Sequence, residues 1–280
     1  MQPRSACTAV LIAAAAIGAV GGFAGTASAQ WTSAPTGWET TSKQETPATA
    51  VFSVLYIPPK SERLKSWANI SHVLKMEDVA SGLNKRFKMP RPVPIVFLEC
   101  GTVNAFYTSE KHAILICYEL LDYFNGVFKP TVKTDEALGR KIAGAVFFTF
   151  FHEFGHALAG ELELPITGKE EDAADELAAL WLARIPAVGR ECALAAAEWF
   201  SLEGGKKEKT GKISWADEHS FDLQRMYDIV CILYGDNQAA NVELVKALGV
   251  TEERAARCVR ETPKKAKAWK ALLAPHIREK

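Results

Sequence analysis

Two histidines and a glutamate stand close together in the apolar segment FFHEFGHAL, residues 150–158. His152 and His156 are four residues apart, so on a helix both imidazoles project from one face, one turn apart. Two imidazoles at this spacing can bind a single Zn²⁺, and Glu153 can accept a proton from a water molecule at the open side of the ion. Burying these groups without partners would cost several kcal/mol. The segment therefore predicts a zinc site on a buried helix, in preference to a hydrogen-bonded pair in the core.

A third ligand must follow, because catalytic zinc sites use three protein ligands and leave one position for water. A second helix is predicted from about residue 168, where Thr167 and Glu170 form a capping box that occupies the Glu170 side chain. At about 100° per residue, Glu171 and Asp175 lie on the apolar face of this helix, and Asp172 lies nearer to solvent. We expect Glu171 rather than Asp172 to bind the metal, and Asp175 to orient a ligand histidine.

Short strands precede these two helices, and further helices follow them. Apolar and aromatic runs predict strands at 51–57, 92–100, 103–109 and 112–118, and the short turns between the last three predict antiparallel neighbours. One helix is predicted from Ser61 to about Arg86. The helices predicted after Pro130 cover 135–159, 168–184, 189–201, 217–234, 238–247, 251–259 and 264–273, with a mobile charged loop at 203–212. This order predicts an α+β fold in one domain spanning 51–280, with a small antiparallel or mixed sheet followed by a mostly helical half.

Residues 1–29 have the pattern of a signal peptide. Arg4 precedes an apolar run that ends in the small residues Ala27-Ser28-Ala29. A membrane anchor is the less favoured alternative, because the run is rich in Ala and Gly. Residues 30–50 are polar and predict a flexible N-terminus. No later run is judged long and apolar enough to span a bilayer, so we expect an exported protein, periplasmic or secreted, without stable membrane insertion after signal cleavage.

Charge and cysteine content narrow the function further. The chain carries 33 Lys and Arg against 33 Asp and Glu, which argues against a nucleic-acid binder with a basic surface. Export into an oxidising compartment allows two disulfides among the five cysteines after residue 29. We expect Cys100 to pair with Cys117 and Cys231 with Cys258, which leaves Cys192 as a buried thiol.

The histidine and glutamate spacing resembles that of a known class of enzymes. His152-Glu153-x-x-His156 followed by Glu171-x-x-x-Asp175 is similar to the gluzincin arrangement of thermolysin-like metallopeptidases. The segments ECGTVNAFY, ICYELL, FHEFGHAL, EEDAADELAAL and DEHSFDLQRMYDIVCILYG together resemble a metallopeptidase family of exported bacterial proteins without an assigned function. This second resemblance covers roughly residues 50–260. The gluzincin resemblance implies a zincin-like core with Glu171 as third zinc ligand and Asp175 as support for a histidine.

We therefore expect an exported zinc hydrolase that cleaves peptide bonds in a peptide or protein substrate. Glu153 would act as general base and then as proton donor to the leaving amine. The gluzincin resemblance also implies a group that hydrogen-bonds the developing oxyanion, for which His219 is the candidate and Tyr107 the alternative. Residues 104–107 could pair with a peptide by strand addition or form an ordinary hairpin strand. The alternative function is a non-catalytic zincin-like binding module whose metal is structural or absent, which a fourth protein ligand would favour.

Overall fold

The computed structural model describes residues 51–211 and 217–278. The predicted signal peptide at 1–29 and the segment 30–50 lie outside the described residues. The strands are β1 (Val54–Tyr56), β2 (Ile95–Leu98), β3 (Ala105–Thr108) and β4 (Ala113–Cys117). The α-helices are α1 (Glu62–Ser71), α2 (Met76–Arg86), α3 (Tyr118–Phe128), α4 (Asp135–Glu161), α5 (Glu170–Ala183), α6 (Gly189–Thr210), α7 (Asp222–Asp236), α8 (Gln238–Ala247) and α9 (Glu252–Leu273). The fold is α+β, with a small mixed sheet followed by a mostly helical half.

The strands form one sheet in the order β1-β2-β4-β3, in which β1, β2 and β4 are parallel and β3 is antiparallel to β4. The prediction that β2 and β3 are antiparallel neighbours is therefore wrong. Every residue of β2 and of β4 is buried, whereas β3 is partly exposed. The two continuously apolar strands take the interior of the sheet because both of their faces are covered, and β3 becomes an edge strand.

Several predicted helix boundaries also differ from the structure, among them the start predicted at residue 217, since α7 begins at Asp222. The helix predicted from Ser61 to Arg86 is broken at Lys75, whose left-handed conformation (φ 53°) lets the flanking residues Leu74 and Met76 both enter the core. The predicted loop at 203–212 is helical as far as Thr210. Gly204 lies so close to Leu223 that a Cβ there would stand 2.8 Å from the leucine Cγ, and the glycine thereby allows α6 to approach α7.

The two helices predicted at 251–259 and 264–273 form the single helix α9, which runs through Pro263. Proline removes one hydrogen bond from a helix interior and favours a break. Cys258, Thr262, Ala266 and Trp269 are buried along one face of α9, so packing continues on both sides of the proline and outweighs this cost.

Helix α4 is the central element of the core. It packs against β3, β4, α5 and α6, and from Ile142 to Phe151 it carries no charged residue. Contrary to the sequence expectation, α4 is long and apolar enough to cross a membrane by length and composition. However, 89% of its most apolar window is buried within the protein, so its apolar side chains form core contacts.

Two disulfides connect the elements around this core. The sulfurs of Cys100 and Cys117 are 2.04 Å apart and join the ends of β2 and β4, and those of Cys231 and Cys258 are 2.07 Å apart and join α7 to α9. These are the two pairs that the sequence predicts. Cys192 is buried in α6 and belongs to neither disulfide. Two disulfides are typical of proteins in oxidising compartments.

Candidate metal centre

The three predicted metal ligands converge between α4 and α5. His152 and His156 lie one turn apart on α4, and Glu171 lies in the first turn of α5. The His152 Nε2 is 3.2 Å from the His156 Nε2 and 3.1 Å from the Glu171 Oε2, and the His156 Nε2 is 3.4 Å from the Glu171 Oε1. Donor atoms bound at about 2.0–2.1 Å in a tetrahedral arrangement would be about 3.3 Å apart, so the three side chains fit one ion.

A carboxylate holds each imidazole on the side that faces away from this point. The Asp175 Oδ1 lies 2.8 Å from the His152 Nδ1, and the Glu170 Oε1 lies 2.7 Å from the His156 Nδ1. A carboxylate accepts a hydrogen bond, so in each neutral imidazole Nδ1 carries the proton and Nε2 presents its lone pair. Two such lone pairs 3.2 Å apart repel each other unless a cation lies between them. The paired carboxylates therefore prepare both histidines to bind a metal.

The role of Glu170 differs from the predicted one. Thr167 and Glu170 do not form a capping box, because Lys169 is the N-cap residue of α5 and no side chain caps it. Glu170 is the first residue of α5, and its carboxylate is turned towards α4, where it contacts His156. A predicted capping residue is thus a hydrogen-bond acceptor that orients His156.

Glu171, rather than Asp172, faces the histidines. Asp172 accepts a hydrogen bond of 2.6 Å from the Ser220 hydroxyl and is directed towards the segment before α7. The Glu171 Oε2 is buried and lacks a hydrogen bond of acceptable geometry, although the Nε2 atoms of His219 and His152 lie 2.8 and 3.1 Å away. Burial alone would raise the pKa of Glu171, but its contacts with the three histidines outweigh burial and hold the pKa far below its usual value. Glu171 is thus ionised, and its carboxylate oxygens are suited to bind a cation.

His219 joins the site from the segment that precedes α7. Donor atoms of His152, Glu171 and His219 all lie within 4.8 Å of one another, and the His219 ring is stacked 6.0 Å from that of His152. The His219 backbone N–H donates a 3.0 Å hydrogen bond to Asp217, whose carboxylate also lies 3.3 Å from the His219 Nδ1. His219 is therefore held where it could donate a hydrogen bond beside a bound metal or bind such a metal itself.

Glu153 is buried on α4 and is held by the edge strand. Its Oε2 accepts a 2.7 Å hydrogen bond from the backbone N–H of Tyr107. Burial raises the pKa of Glu153, and the neighbouring histidines oppose this effect only in part. A raised pKa brings a carboxylate closer to the range in which it both accepts and returns a proton near neutral pH.

The hydroxyl of Tyr107 serves a different partner. It donates a 2.6 Å hydrogen bond to Glu161, a buried carboxylate that also contacts His112 at 2.7 Å and Arg91 at 3.1 Å. This geometry corrects the expectation that the Tyr107 phenol could stabilise an oxyanion. Tyr107 instead fastens β3 to α4 at two points, through its N–H at Glu153 and through its hydroxyl at Glu161.

Arg225 is a component of the site that the sequence analysis missed. Its Nε lies 2.6 Å from the Asp175 Oδ2 and its terminal nitrogen 2.8 Å from the Asp175 Oδ1. Burial alone would raise the pKa of Asp175, but the charge of Arg225 outweighs it and lowers the pKa well below its usual value. Arg225 shares the apolar face of α7 with Ile229 and Ile232, and a cation at that helical spacing is the signal that could have identified it.

The charges of these side chains favour a divalent cation. Four carboxylates surround the histidines, of which those of Glu153, Glu171 and Asp175 are largely buried and that of Glu170 is half-exposed, and Arg225 neutralises Asp175. An excess of buried negative charge is costly unless cations compensate it. The donor set of imidazole nitrogens and one carboxylate, with both Nε2 lone pairs directed inwards, fits a metal of the zinc type.

Comparisons with known proteins give one match. Neither the curated proteins nor the solved structures match the chain. A family model described as "Putative metallopeptidase" matches residues 56–273, a range that contains the candidate metal centre, the strands β2 to β4, the last residue of β1 and the helices α1 to α9. The chain therefore belongs to this metallopeptidase family.

Proposed function

We propose that the protein is an exported zinc-dependent metallopeptidase that hydrolyses peptide bonds. One observation carries this proposal: the Nε2 atoms of His152 and His156 lie 3.2 Å apart, each with its Nδ1 held by a carboxylate and with Glu171 completing a triangle of donors. Three protein ligands leave the fourth tetrahedral position for water, as catalytic zinc sites require. His152, His156 and Glu171 are the proposed zinc ligands.

The residues of the chain divide the chemistry among them. When bound, Zn²⁺ would supply a Lewis acid that lowers the pKa of water and polarises the scissile carbonyl. Glu153 takes the proton from the attacking water and returns it to the leaving amine, while the Tyr107 N–H holds the Oε2 of Glu153 in place. With a proton on each ring nitrogen, His219 would donate one hydrogen bond from Nε2 to the developing oxyanion and one from Nδ1 to Asp217.

The edge of the sheet offers a place for the peptide or protein substrate. At Tyr107 the N–H of β3 donates to Glu153 on α4, so this edge strand passes directly beside the proposed general base. A peptide in extended conformation could add to β3 through backbone hydrogen bonds. We propose that substrate is bound there, outside the cytosol and after removal of the signal peptide near Ala29, without membrane insertion.

The proposal is tested by the metal content of three purified proteins. The wild type and Glu153→Gln should each contain about one zinc per chain, and His156→Ala should contain little. Glu153→Gln should lower turnover of a peptide library by at least about 100-fold, since loss of general base catalysis typically costs about 10² to 10⁴. Full activity in Glu153→Gln, or no zinc uptake by the wild type, would refute the mechanism.

A second candidate function is supported by the position of His219. Its Nε2 lies 2.8 Å from the Glu171 Oε2, so it could complete a shell of four protein ligands. A closed shell is typical of structural zinc, and the protein would then be a zincin-like binding module without catalysis. The peptidase remains the better-supported function, because a structural site needs no buried carboxylate at the Glu153 position.

A further inference from the structure

We propose that Arg225 is a positioning residue of the metal centre, which acts through Asp175 to fix the orientation of the ligand His152. The inference rests on the proposed function, since it assumes that His152 binds the metal. It adds to the site a residue of α7 that neither the motif nor the family match assigns.

The guanidinium of Arg225 makes a bidentate contact with the carboxylate of Asp175. Nε of the guanidinium lies 2.6 Å from Oδ2, and a terminal nitrogen lies 2.8 Å from Oδ1. The same Oδ1 lies 2.8 Å from the His152 Nδ1. Two parallel N–H···O bonds fix the plane of a carboxylate as well as its position. The oxygen that orients the imidazole is thus itself held at a fixed place.

Burial and contact with an aromatic ring restrict the guanidinium of Arg225. Only 11% of the Arg225 side chain is exposed, and its guanidinium carbon lies 4.0 Å from the centre of the Phe200 ring. Stacking on an aromatic ring confines the plane of the guanidinium. Four helices contribute one side chain each to this chain of contacts: α4 contributes His152, α5 Asp175, α6 Phe200 and α7 Arg225. The orientation of the His152 imidazole therefore depends on all four helices.

The same contact places His219. Arg225 lies in the first turn of α7, only six residues after His219, and it ties the start of this helix to α5. A hydrogen bond of 2.6 Å from Ser220 to Asp172 makes a second tie between the same two segments. Loss of the bidentate contact between Arg225 and Asp175 would therefore disturb both the orientation of His152 and the position of His219.

An ordinary salt bridge would not have these properties, and α7 provides one for comparison. Asp228 of α7 pairs with Arg254 of α9 at 2.8 Å, but the two side chains are 57% and 37% exposed. Exposed pairs of this kind contribute little to stability and touch no ligand. Arg254→Met is therefore a matched control for removal of an arginine that contacts α7.

The test is the zinc dissociation constant of the metal-free protein, measured by competition with a chelator. Arg225→Met should weaken zinc binding by about 10- to 100-fold, the usual effect of losing a residue that orients a metal-bound histidine. Arg225→Lys keeps the positive charge but loses the bidentate hydrogen bonds, so it should weaken zinc binding by an intermediate factor. In the cobalt-substituted protein Arg225→Met should also shift the visible absorption bands, which a change in fold stability alone would not do.

A double-mutant cycle decides whether Arg225 acts through Asp175. In an Asp175→Asn background, Arg225→Met should weaken zinc binding by less than about twofold, because coupled residues give non-additive effects. Unchanged affinity in both Arg225 variants, equal effects of Arg225→Met and Arg254→Met, or full additivity with Asp175→Asn would each overturn the inference. If Arg225→Met fails to fold, Arg225→Lys carries the same comparison. Absence of zinc binding by the wild type would instead refute the proposed function.

Discussion

Gly155 and Ala174 bring α4 and α5 into direct backbone contact beside the metal centre. A Cβ on Gly155 would lie 3.0 Å from the Ala174 Cα and 3.2 Å from its Cβ. Gly155 stands between His152 and His156, and Ala174 follows Glu171 by three residues. The separation of the two helices, and with it the distance from the histidines to Glu171, is therefore set by the absence of a side chain at Gly155.

Gly155→Ala should push α5 away from α4 and weaken zinc binding by roughly tenfold or more, since a metal site tolerates little displacement of one ligand. Gly205→Ala is the control, because nothing lies within 4 Å of a Cβ at that position in α6. It should leave zinc affinity unchanged and stabilise the protein by about 0.5–1 kcal/mol through higher helix propensity. Chelator competition and thermal unfolding measure both effects, and equal zinc affinity in the two variants would contradict the prediction.

The sequence was sufficient to identify the side chains whose chemistry depends on local spacing. His152 and His156 are related by one helical turn, and Glu171 and Asp175 by another, so their common faces follow from helix geometry alone. The α+β class could likewise be predicted from the order of the strands and helices. The strand neighbours could not, because parallel pairing of β2 with β4 depends on which strands are buried on both faces and not on turn length.

Contacts between elements that are distant in the sequence could not be predicted from it. Arg225 and Asp175 are 50 residues apart, and Tyr107 and Glu153 are 46 residues apart. Such pairs depend on how α7 and β3 pack against α4 and α5, which periodicity within one element does not reveal. The Glu170 side chain illustrates a local failure, because a carboxylate in the first turn suits both a capping box and a tertiary contact, and the contact with His156 prevails.

Zinc affinity should fall as the pH falls. Burial alone would lower the pKa of His152 in the metal-free protein, but its contacts with the carboxylates of Asp175 and Glu171 outweigh burial and raise the pKa to about 10. Metal binding requires the neutral imidazole, so below that pH each ion must displace a proton. We expect the dissociation constant to rise about tenfold per pH unit of acidification for each displaced proton. Chelator competition between about pH 6 and pH 8 measures the slope, and a constant affinity would contradict it.

Tyr107→Phe should destabilise the fold without removing the metal. The Glu161 side chain is only 2% exposed, and loss of the 2.6 Å hydrogen bond from Tyr107 leaves it with His112 and Arg91. Leaving a buried carboxylate with one partner fewer costs about 1–3 kcal/mol. The backbone N–H that holds Glu153 is retained, so zinc affinity should not change.

Tyr227→Phe is the matched control for this variant. Tyr227 is 40% exposed, and its hydroxyl donates a 3.2 Å hydrogen bond to the Leu248 carbonyl, which solvent can replace. We expect a loss within about 0.5 kcal/mol, as for most surface substitutions. Urea unfolding of both variants compares the two losses, and equal stability of Tyr107→Phe and the wild type would show that the Tyr107 bond to Glu161 does not hold β3.

His219→Ala should separate the two candidate functions. If His219 hydrogen-bonds the oxyanion, zinc remains bound by His152, His156 and Glu171 with nearly unchanged affinity, and turnover falls by about 10²- to 10³-fold. If His219 is a fourth ligand, removing it opens a closed shell, so zinc affinity itself should fall steeply. The two measurements are independent, because affinity is read from chelator competition and turnover from peptide cleavage. Retained affinity with lost turnover supports the peptidase, whereas lost affinity in a wild-type protein that cleaves no peptide supports the binding module.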